Sequence, residues 1–177
     1  MKEFRKISVI GLGLIASSIC LTLRQKDPTI KLTGYDKDKV IRNRAKKIGL
    51  CKVESNLDNA VSGSQLIILC VPVGQMQAVT QRLKKIIEPG ITITDVGSVK
   101  LSVIEEIESN IESVGGKYVP SHPIAGTERS GPDAGYAGLF EGRWCILTPT
   151  RKTNKKALNS LETCLLYTSD AADEEAS

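Results

Sequence analysis

Residues 6–25, KISVIGLGLIASSICLTLRQ, determine the predicted fold of the chain. A short run rich in β-branched residues is followed by two glycines and an apolar helical stretch, which predicts a strand, a tight turn and a helix. Gly11, Gly13 and Ala16 stand in a G-x-G-x-x-A arrangement there. The first glycine permits the turn, the second lets a pyrophosphate approach the backbone, and the small third residue allows close helix–strand packing. The stretch therefore predicts a dinucleotide-binding loop, with the N-terminus of the helix facing the phosphates.

An acidic residue, Asp36, ends the second predicted strand, IKLTGYD (30–36), 25 positions after Gly11. A carboxylate there can accept hydrogen bonds from the ribose hydroxyls and repels a 2′-phosphate, so Asp36 favours NAD over NADP. The neighbouring Lys37 and Lys39 leave room for some binding of NADP. A glycine turn without any ligand is the alternative interpretation.

The strands that follow supply further candidate residues, because ligands of open α/β sheets bind at the carboxyl ends of the strands. LCVPV (69–73) ends one strand, and its Val71 and Pro72 could line the cofactor pocket or equally belong to core and turn. TDVGSVK (94–100) ends the next strand and places Ser98 and Lys100 at the same edge. The predicted cofactor-binding residues are Gly11, Gly13, Leu14, Ile15, Asp36, Val71, Pro72 and Ser98.

Strands and helices alternate along the rest of the chain. Apolar runs typical of strands buried on both faces, such as QLIILCVP (65–72), alternate with helical stretches. This spacing predicts an α/β fold with a Rossmann-type doubly wound, mostly parallel sheet. The stretch 122–143 is rich in glycine and lacks periodicity, which predicts a long functional loop. Further strands are predicted at 91–95, 117–121 and 144–149, and helices at 37–48, 74–87 and 100–111.

Length and composition limit the classes of protein to which the chain can belong. Its 177 residues suit one domain, and no stretch approaches the roughly 18 consecutive apolar residues of a membrane span. Five cysteines without a CxxC pair favour free thiols in a reducing compartment over a disulfide frame or a metal site. Aromatic residues, at 4%, are too few for a surface that stacks nucleic-acid bases. We therefore expect a cytoplasmic protein with a small-molecule ligand and neither nucleic acid nor membrane as partner.

The last fourteen residues, CLLYTSDAADEEAS (164–177), do not continue the lysine-rich helical stretch before them. They contain four acidic residues and no basic one, and they closely resemble the translation of an adapter used in short-read DNA sequencing. We therefore expect residues 1–163 to form the dinucleotide-binding domain and 164–177 to be a non-native tail. On this interpretation the natural chain continued past Thr163. A genuine acidic tail is the alternative.

The only histidine of the chain, His122, lies in SHPIAGTE (121–128), directly after a predicted strand. Imidazole gains and loses a proton near neutral pH, so it suits taking a proton while a hydride leaves for a nicotinamide. An isolated histidine is more often structural. A position at the same sheet edge as Ser98 and the predicted cofactor site nevertheless favours a catalytic role.

The segment SHPIAGTERSGPDAGYAGLFEGRWCILTP (121–149), with the glycine turn, GYD, LCVPV and TDVGSVK, resembles the N-terminal domain of the prephenate dehydrogenase family, including its arogenate and cyclohexadienyl variants. The resemblance implies oxidative decarboxylation of prephenate to 4-hydroxyphenylpyruvate, with NAD as hydride acceptor, in tyrosine biosynthesis. It also implies that His122 deprotonates the ring C4 hydroxyl and that Ser98 hydrogen-bonds both that hydroxyl and His122. Thr127 and Glu128 would line the mouth of the active site.

The resemblance extends over residues 6 to about 163, and the chain departs from the family in two respects. Ala16 stands where glycine is usual, a change that the motif tolerates. The family's C-terminal helical domain, which supplies the dimer interface and a cationic group for the substrate carboxylates, is missing, so we expect an inactive fragment of a homodimeric enzyme. Arogenate dehydrogenase, a related β-hydroxyacid dehydrogenase and a non-catalytic dinucleotide-binding module remain alternatives. The family's motif argues against the β-hydroxyacid dehydrogenases, which use a catalytic lysine.

Overall fold

A six-stranded parallel sheet with helices on both faces organises the chain. The structure is a computed structural model that describes residues 4–98 and 101–169, apart from the side chains at 102 and 166–169. The strands are β1 (Lys6–Ile10), β2 (Lys31–Tyr35), β3 (Lys52–Val53), β4 (Leu66–Leu69), β5 (Thr92–Asp95), β6 (Lys117–Val119), β7 (Ser121–Pro123) and β8 (Cys145–Leu147). The helices are α1 (Leu14–Lys26), α2 (Lys39–Lys47), α3 (Leu57–Val61), α4 (Val73–Leu83), α5 (Leu101–Glu112) and α6 (Lys155–Ser169).

The strand order of the main sheet is β3-β2-β1-β4-β5-β6, and every neighbouring pair is parallel. This order confirms the predicted Rossmann-type doubly wound fold. The chain reverses its direction of travel across the sheet between β1 and β4, and the crevice at such a switch point is where open α/β sheets bind ligands. The short β3 and the five-residue α3 were not predicted from the sequence.

The predicted strand at 144–149 is not part of the main sheet, so its assignment to the doubly wound set was wrong. Residues 145–147 form β8, which pairs antiparallel with β7 in a separate two-stranded ladder. The predicted strand 117–121 is likewise divided, since β6 ends at Val119 and the chain enters β7 at Ser121. Pro120 stands between them and lacks the N–H that a continuing ladder would need.

Each face of the sheet buries one apolar layer, because side chains alternate along the strands. Ile7 and Val9 of β1 point to the layer that contains the buried side chains of α1 and α6, whereas Ile10 points to the layer of α3, α4 and α5. The polar Ser8 is buried, and its hydroxyl shares hydrogen bonds with the hydroxyls of Thr33 and Ser64, 2.6 Å each. No helix within the described ranges is long and apolar enough to cross a membrane.

The final described helix, α6, runs through the predicted domain boundary at residue 163. Leu161 before the boundary and Cys164 after it are both buried in the same apolar layer. Residues 170–177 of the predicted non-native tail lie outside the described residues. The assignment of 164–177 to a non-native tail stays a prediction.

Candidate active site

The glycine loop lies at the switch point between β1 and β4. Gly11 has φ +91°, and a Cβ at this position would lie 2.6 Å from the carbonyl oxygen of Cys70. Its N–H donates to the carbonyl of Tyr35 over 2.8 Å. A side chain is therefore excluded at Gly11 by both conformation and space.

Gly13 differs from Gly11, because its missing side chain would point into open space. A Cβ there meets nothing within 4 Å, and Gly13 is the residue from which α1 begins. The half-buried Leu14 and Ile15 form the first turn of α1, and Ala16 is fully buried against the sheet. The unpaired N–H groups of this turn and the open space over Gly13 could hold a phosphate group.

Asp36 is placed against the glycine loop by two backbone hydrogen bonds. Its Oδ2 accepts from the N–H of Leu12 over 2.8 Å, and its Oδ1 accepts from the N–H of Asp38 over 2.9 Å. Arg42, which the sequence did not single out, donates to the carbonyls of Asp36 and Lys37 over 2.6 and 2.9 Å. The carboxylate thus has a fixed position at the carboxyl edge of the sheet, beside the loop that would hold the pyrophosphate.

Val71 and Pro72 follow β4, and the sequence left open whether they line the cofactor pocket or belong to the core and the turn. Val71 is half-buried and packs against the apolar layer of α4, whereas Pro72 is exposed and caps the start of α4. Val71 also lies next to the glycine loop, since its backbone nitrogen is 3.0 Å from the position of a Cβ on Gly11. Both residues are therefore near the switch point, and their contact with a cofactor stays a prediction.

Ser98 and His122, 24 positions apart in the chain, line one cavity of about 290 Å³. Ser98 is exposed and His122 is half-buried. Nδ1 of His122 is buried and has no hydrogen-bond partner among the described residues. Because a buried polar atom without a partner is costly, this nitrogen is available to a ligand. The other lining residues are Gly97, Ile104, Pro120, Ser121, Ile146 and Thr148.

One face of the β7–β8 ladder carries His122 together with exposed apolar side chains. His122 lies opposite Ile146, and the N–H of Ile124 donates to the carbonyl of Trp144 over 2.8 Å. His122 and Ile146 both line this cavity, whereas Trp144 lines a separate cavity together with Pro123 and Cys145. Trp144 is 82% exposed. The imidazole is therefore bordered by apolar surface that a ring-shaped ligand could contact.

Asp95 holds the segments that carry Ser98 and His122, although the sequence did not single it out. It is fully buried at the end of β5. Its Oδ2 accepts from the N–H of Gly97 over 2.9 Å, and its Oδ1 accepts from the hydroxyl of Tyr118 over 2.7 Å and the N–H of Ser121 over 3.4 Å. Burial raises the pKa of Asp95, and these hydrogen bonds oppose the rise. The sequence feature that could have identified Asp95 is an acidic residue at the end of a buried strand.

The structure does not bring Thr127 and Glu128 to this cavity. Both are exposed in the segment after β7, where the hydroxyl of Thr127 accepts from the N–H of Arg129 over 3.2 Å. Lys100, predicted beside Ser98, lies outside the described residues. Within residues 4–98 and 101–169 no group of three or more histidine, cysteine or acidic side chains could hold a metal ion.

The fold, the glycine loop at the switch point and Asp36 beside it define a nucleotide-binding α/β domain of the Rossmann type. A family model described as "Prephenate dehydrogenase, nucleotide-binding domain" matches residues 19–170. The chain belongs to this family. The matched range contains Asp36, Ser98 and His122 and begins after the glycine loop.

The names of individual relatives are consistent with this family. The chain is 40% identical over 159 residues to a cyclohexadienyl dehydrogenase of Zymomonas mobilis, a match that covers 89% of this chain and 54% of the relative. The fold superimposes on a prephenate dehydrogenase of A. aeolicus, solved with hydroxyphenyl propionate and NAD+, with a TM-score of 0.85, 28% identity and coverage of 93% of this chain and 57% of that one.

A Synechocystis arogenate dehydrogenase is also similar, with a TM-score of 0.83, 28% identity and coverage of 92% of this chain and 56% of that one. Sequence and structural relatives therefore include proteins named for prephenate, arogenate and cyclohexadienyl substrates. The chain spans about half the length of the curated relatives it matches, between 43% and 54%.

Proposed function

We propose that this chain is the NAD-binding part of a dehydrogenase that converts prephenate to 4-hydroxyphenylpyruvate in tyrosine biosynthesis. The observation that carries the proposal is that Ser98 and His122 line one cavity at the carboxyl edge of the sheet, with the buried Nδ1 of His122 left without a partner. Arogenate is the alternative substrate, because a relative named for arogenate matches the fold about as well as one named for prephenate.

NAD is the cofactor in this proposal. The N–H groups of the first turn of α1 bind its pyrophosphate over Gly13, where a Cβ would have nothing within 4 Å. Asp36, held by the N–H of Leu12, accepts hydrogen bonds from the ribose hydroxyls. When bound, NAD supplies a hydride acceptor to the reaction.

The protein's own part in the chemistry is to orient the substrate and remove one proton. His122 accepts the proton of the C4 hydroxyl as a hydride leaves C4, and Ser98 hydrogen-bonds the same oxygen. The bond to the ring carboxylate then breaks and CO2 is released, while its electron pair enters the ring and reaches the C4 oxygen, which takes back the proton held by His122. The products are 4-hydroxyphenylpyruvate, CO2 and the reduced cofactor.

The proposal also covers the location, the oligomeric state and the activity of this chain alone. The whole protein acts in the cytoplasm as a homodimer, and this chain alone is inactive, because it spans about half the length of its curated relatives. Thr127 and Glu128 are assigned to the mouth of the active site by the family's motif, although both are exposed and away from the lining of the cavity.

The first experiment is a calorimetric titration of the 177-residue chain with NAD and, separately, with NADP. Saturable binding with NAD clearly tighter is expected. A folded chain that binds neither would contradict the assignment of Gly13 and Asp36 to a cofactor site.

The second experiment tests His122 in a hybrid that joins this chain to the part of the Zymomonas enzyme that it does not match. Prephenate-dependent formation of NADH is expected, and His122→Asn should lower kcat by at least roughly 100-fold, the lower range for loss of a general base, with NAD affinity preserved. Arogenate is assayed in parallel to assign the substrate. Unchanged kcat in the variant would rule out His122 as the base, and NAD binding without turnover in any hybrid would favour a binding module.

A further inference from the structure

The two candidate active-site groups lie on different segments of the chain. Ser98 follows β5 in a connection without regular structure, and His122 lies in β7, outside the main sheet. Neither position is fixed by the six-stranded ladder. Some other contact must therefore set the position of one segment against the other.

A single buried carboxylate supplies that contact. The two oxygens of Asp95 accept hydrogen bonds in different directions, Oδ2 from the N–H of Gly97 and Oδ1 from the N–H of Ser121. Gly97 directly precedes Ser98, and Ser121 directly precedes His122. Each bond therefore ends one residue away from a candidate active-site group.

The surroundings of Asp95 hold it in place. Its Oδ1 also accepts from the hydroxyl of Tyr118, a fully buried residue of β6, over 2.7 Å. The hydroxyl of Ser121 donates to the backbone carbonyl of Asp95 over 2.6 Å and accepts from the hydroxyl of Thr94 over 3.0 Å. The carboxylate is thus part of a rigid, dry network, in which hydrogen bonds to a charged acceptor are strong.

We propose that Asp95 is a positioning residue that sets the imidazole of His122 against the hydroxyl of Ser98. The inference rests on the proposed function, because it concerns the same pair of groups. Asp95 does not line the cavity and takes no part in proton transfer. Its two oxygens fix the two segments, so that both groups face the cavity before a substrate arrives.

A second buried acid provides a matched control. Glu108 of α5 is 2% exposed and accepts from the hydroxyls of Thr150 and Thr153 over 2.5 and 3.4 Å. These partners lie in the segment after β8, so the hydrogen bonds of Glu108 go to neither Gly97 nor Ser121. Replacing Glu108 tests the general cost of altering a buried carboxylate that is not hydrogen-bonded to either segment.

The experiment uses the imidazole as its own reporter, since His122 is the only histidine in the chain. Imidazole signals are recorded by NMR on the 177-residue chain and on the variants Asp95→Asn and Glu108→Gln. The parent and Glu108→Gln should give one sharp set of signals. Asp95→Asn should lose that single set to broadening or doubling, because an amide offers one acceptor oxygen where the carboxylate offers two.

Unchanged imidazole signals in a folded Asp95→Asn variant would overturn the proposal, as would equal broadening in Glu108→Gln. If Asp95→Asn does not fold, Tyr118→Phe decides, because it removes one of the three donors that hold the carboxylate. Broadened signals in that variant support the proposal and unchanged ones overturn it. A titration with NAD on the same samples tests the cofactor site separately, so failure of the proposed function is distinguishable.

Discussion

The two glycines of the glycine loop, Gly11 and Gly13, have different roles. Gly11 serves the fold, since its φ of +91° and its approach to Cys70 leave no room for a side chain. Gly13 leaves its side of the loop open, where we propose that the cofactor binds. The motif in the sequence predicted both glycines together, and only the structure separates their roles, because the neighbour of Gly11 is Cys70, which directly follows β4.

The same substitution at these two glycines should therefore have different effects. Gly11→Ala should lower the free energy of unfolding by at least about 1–3 kcal/mol, the cost of a strained backbone. Gly13→Ala should cost less than about 1 kcal/mol, as expected at the start of a helix, and should weaken NAD binding. Urea unfolding and calorimetric titration measure the two effects. Equal loss of stability in both variants would contradict the separation.

Asp36 should determine the preference between the two dinucleotides. Asp36→Ser should weaken NAD binding by roughly tenfold or more, the equivalent of one hydrogen bond to a charged group, and should relatively favour NADP. Asp38→Ser is the control, because Asp38 caps α2 through the N–H of Val40 at 2.7 Å and serine is also a good cap. Titrations with both cofactors compare the variants. If the preference for NAD over NADP were unchanged in Asp36→Ser, Asp36 would not contact the ribose.

Among the elements, the segment between β7 and β8 is held on α1 and α2. The hydroxyl of Thr22 in α1 donates to the carbonyl of Ala137 over 2.5 Å, and the N–H of Tyr136 donates to the hydroxyl of Ser18 over 3.2 Å. Asp133 receives two bonds from Nε of Arg44, 2.7 Å each. The segment therefore joins the hairpin that carries His122 to the helix that follows the glycine loop.

The ion pair of Asp133 and Arg44 should make this attachment sensitive to acid. Hydrogen bonding to Arg44 lowers the pKa of Asp133 in the folded chain, so the contribution of the pair is fully present above the ordinary value of 3.8 and is lost as pH falls through the lowered pKa. Asp133→Asn should lower the urea midpoint slightly at neutral pH, since both partners are exposed, and should match the parent in acid. Glu141→Gln, an exposed acid of the same segment, is the control. A difference from the parent that persisted once Asp133 is protonated in the folded chain would contradict the assignment.

At the scale of the whole molecule, the parallel sheet could be predicted from the sequence because each of its strands is indicated by a short local run of residues. Apolar runs such as 65–72 indicate buried strands wherever they occur. The hairpin could not be predicted in this way, because β7 and β8 have three residues each and 21 residues separate them. The pairing of Ser98 with His122 was predicted from the sheet edge, whereas the role of Asp95 depends on Tyr118 and Ser121 meeting it in space.

Asp95 also makes a prediction for the stability of the whole domain. Burial raises its pKa above the ordinary value of 3.8, so the unfolded chain releases this proton first and stability falls as pH rises between the two values. Asp95→Asn cannot titrate and should lack this slope. Urea midpoints of both proteins, measured upward from about pH 4, give the difference. Parallel profiles would show that Asp95 does not ionise with a raised pKa.

Trp144 gives the chain a built-in optical probe. It is the only tryptophan, it is largely exposed, and it directly precedes β8, in which Ile146 lies opposite His122. In the free chain its fluorescence emission maximum should therefore be that of a solvent-exposed indole. Any molecule that covers the indole should shift the emission towards the blue, and a reduced nicotinamide bound to the domain should quench it by energy transfer. Binding of the reduced cofactor to the domain is thus visible without any label.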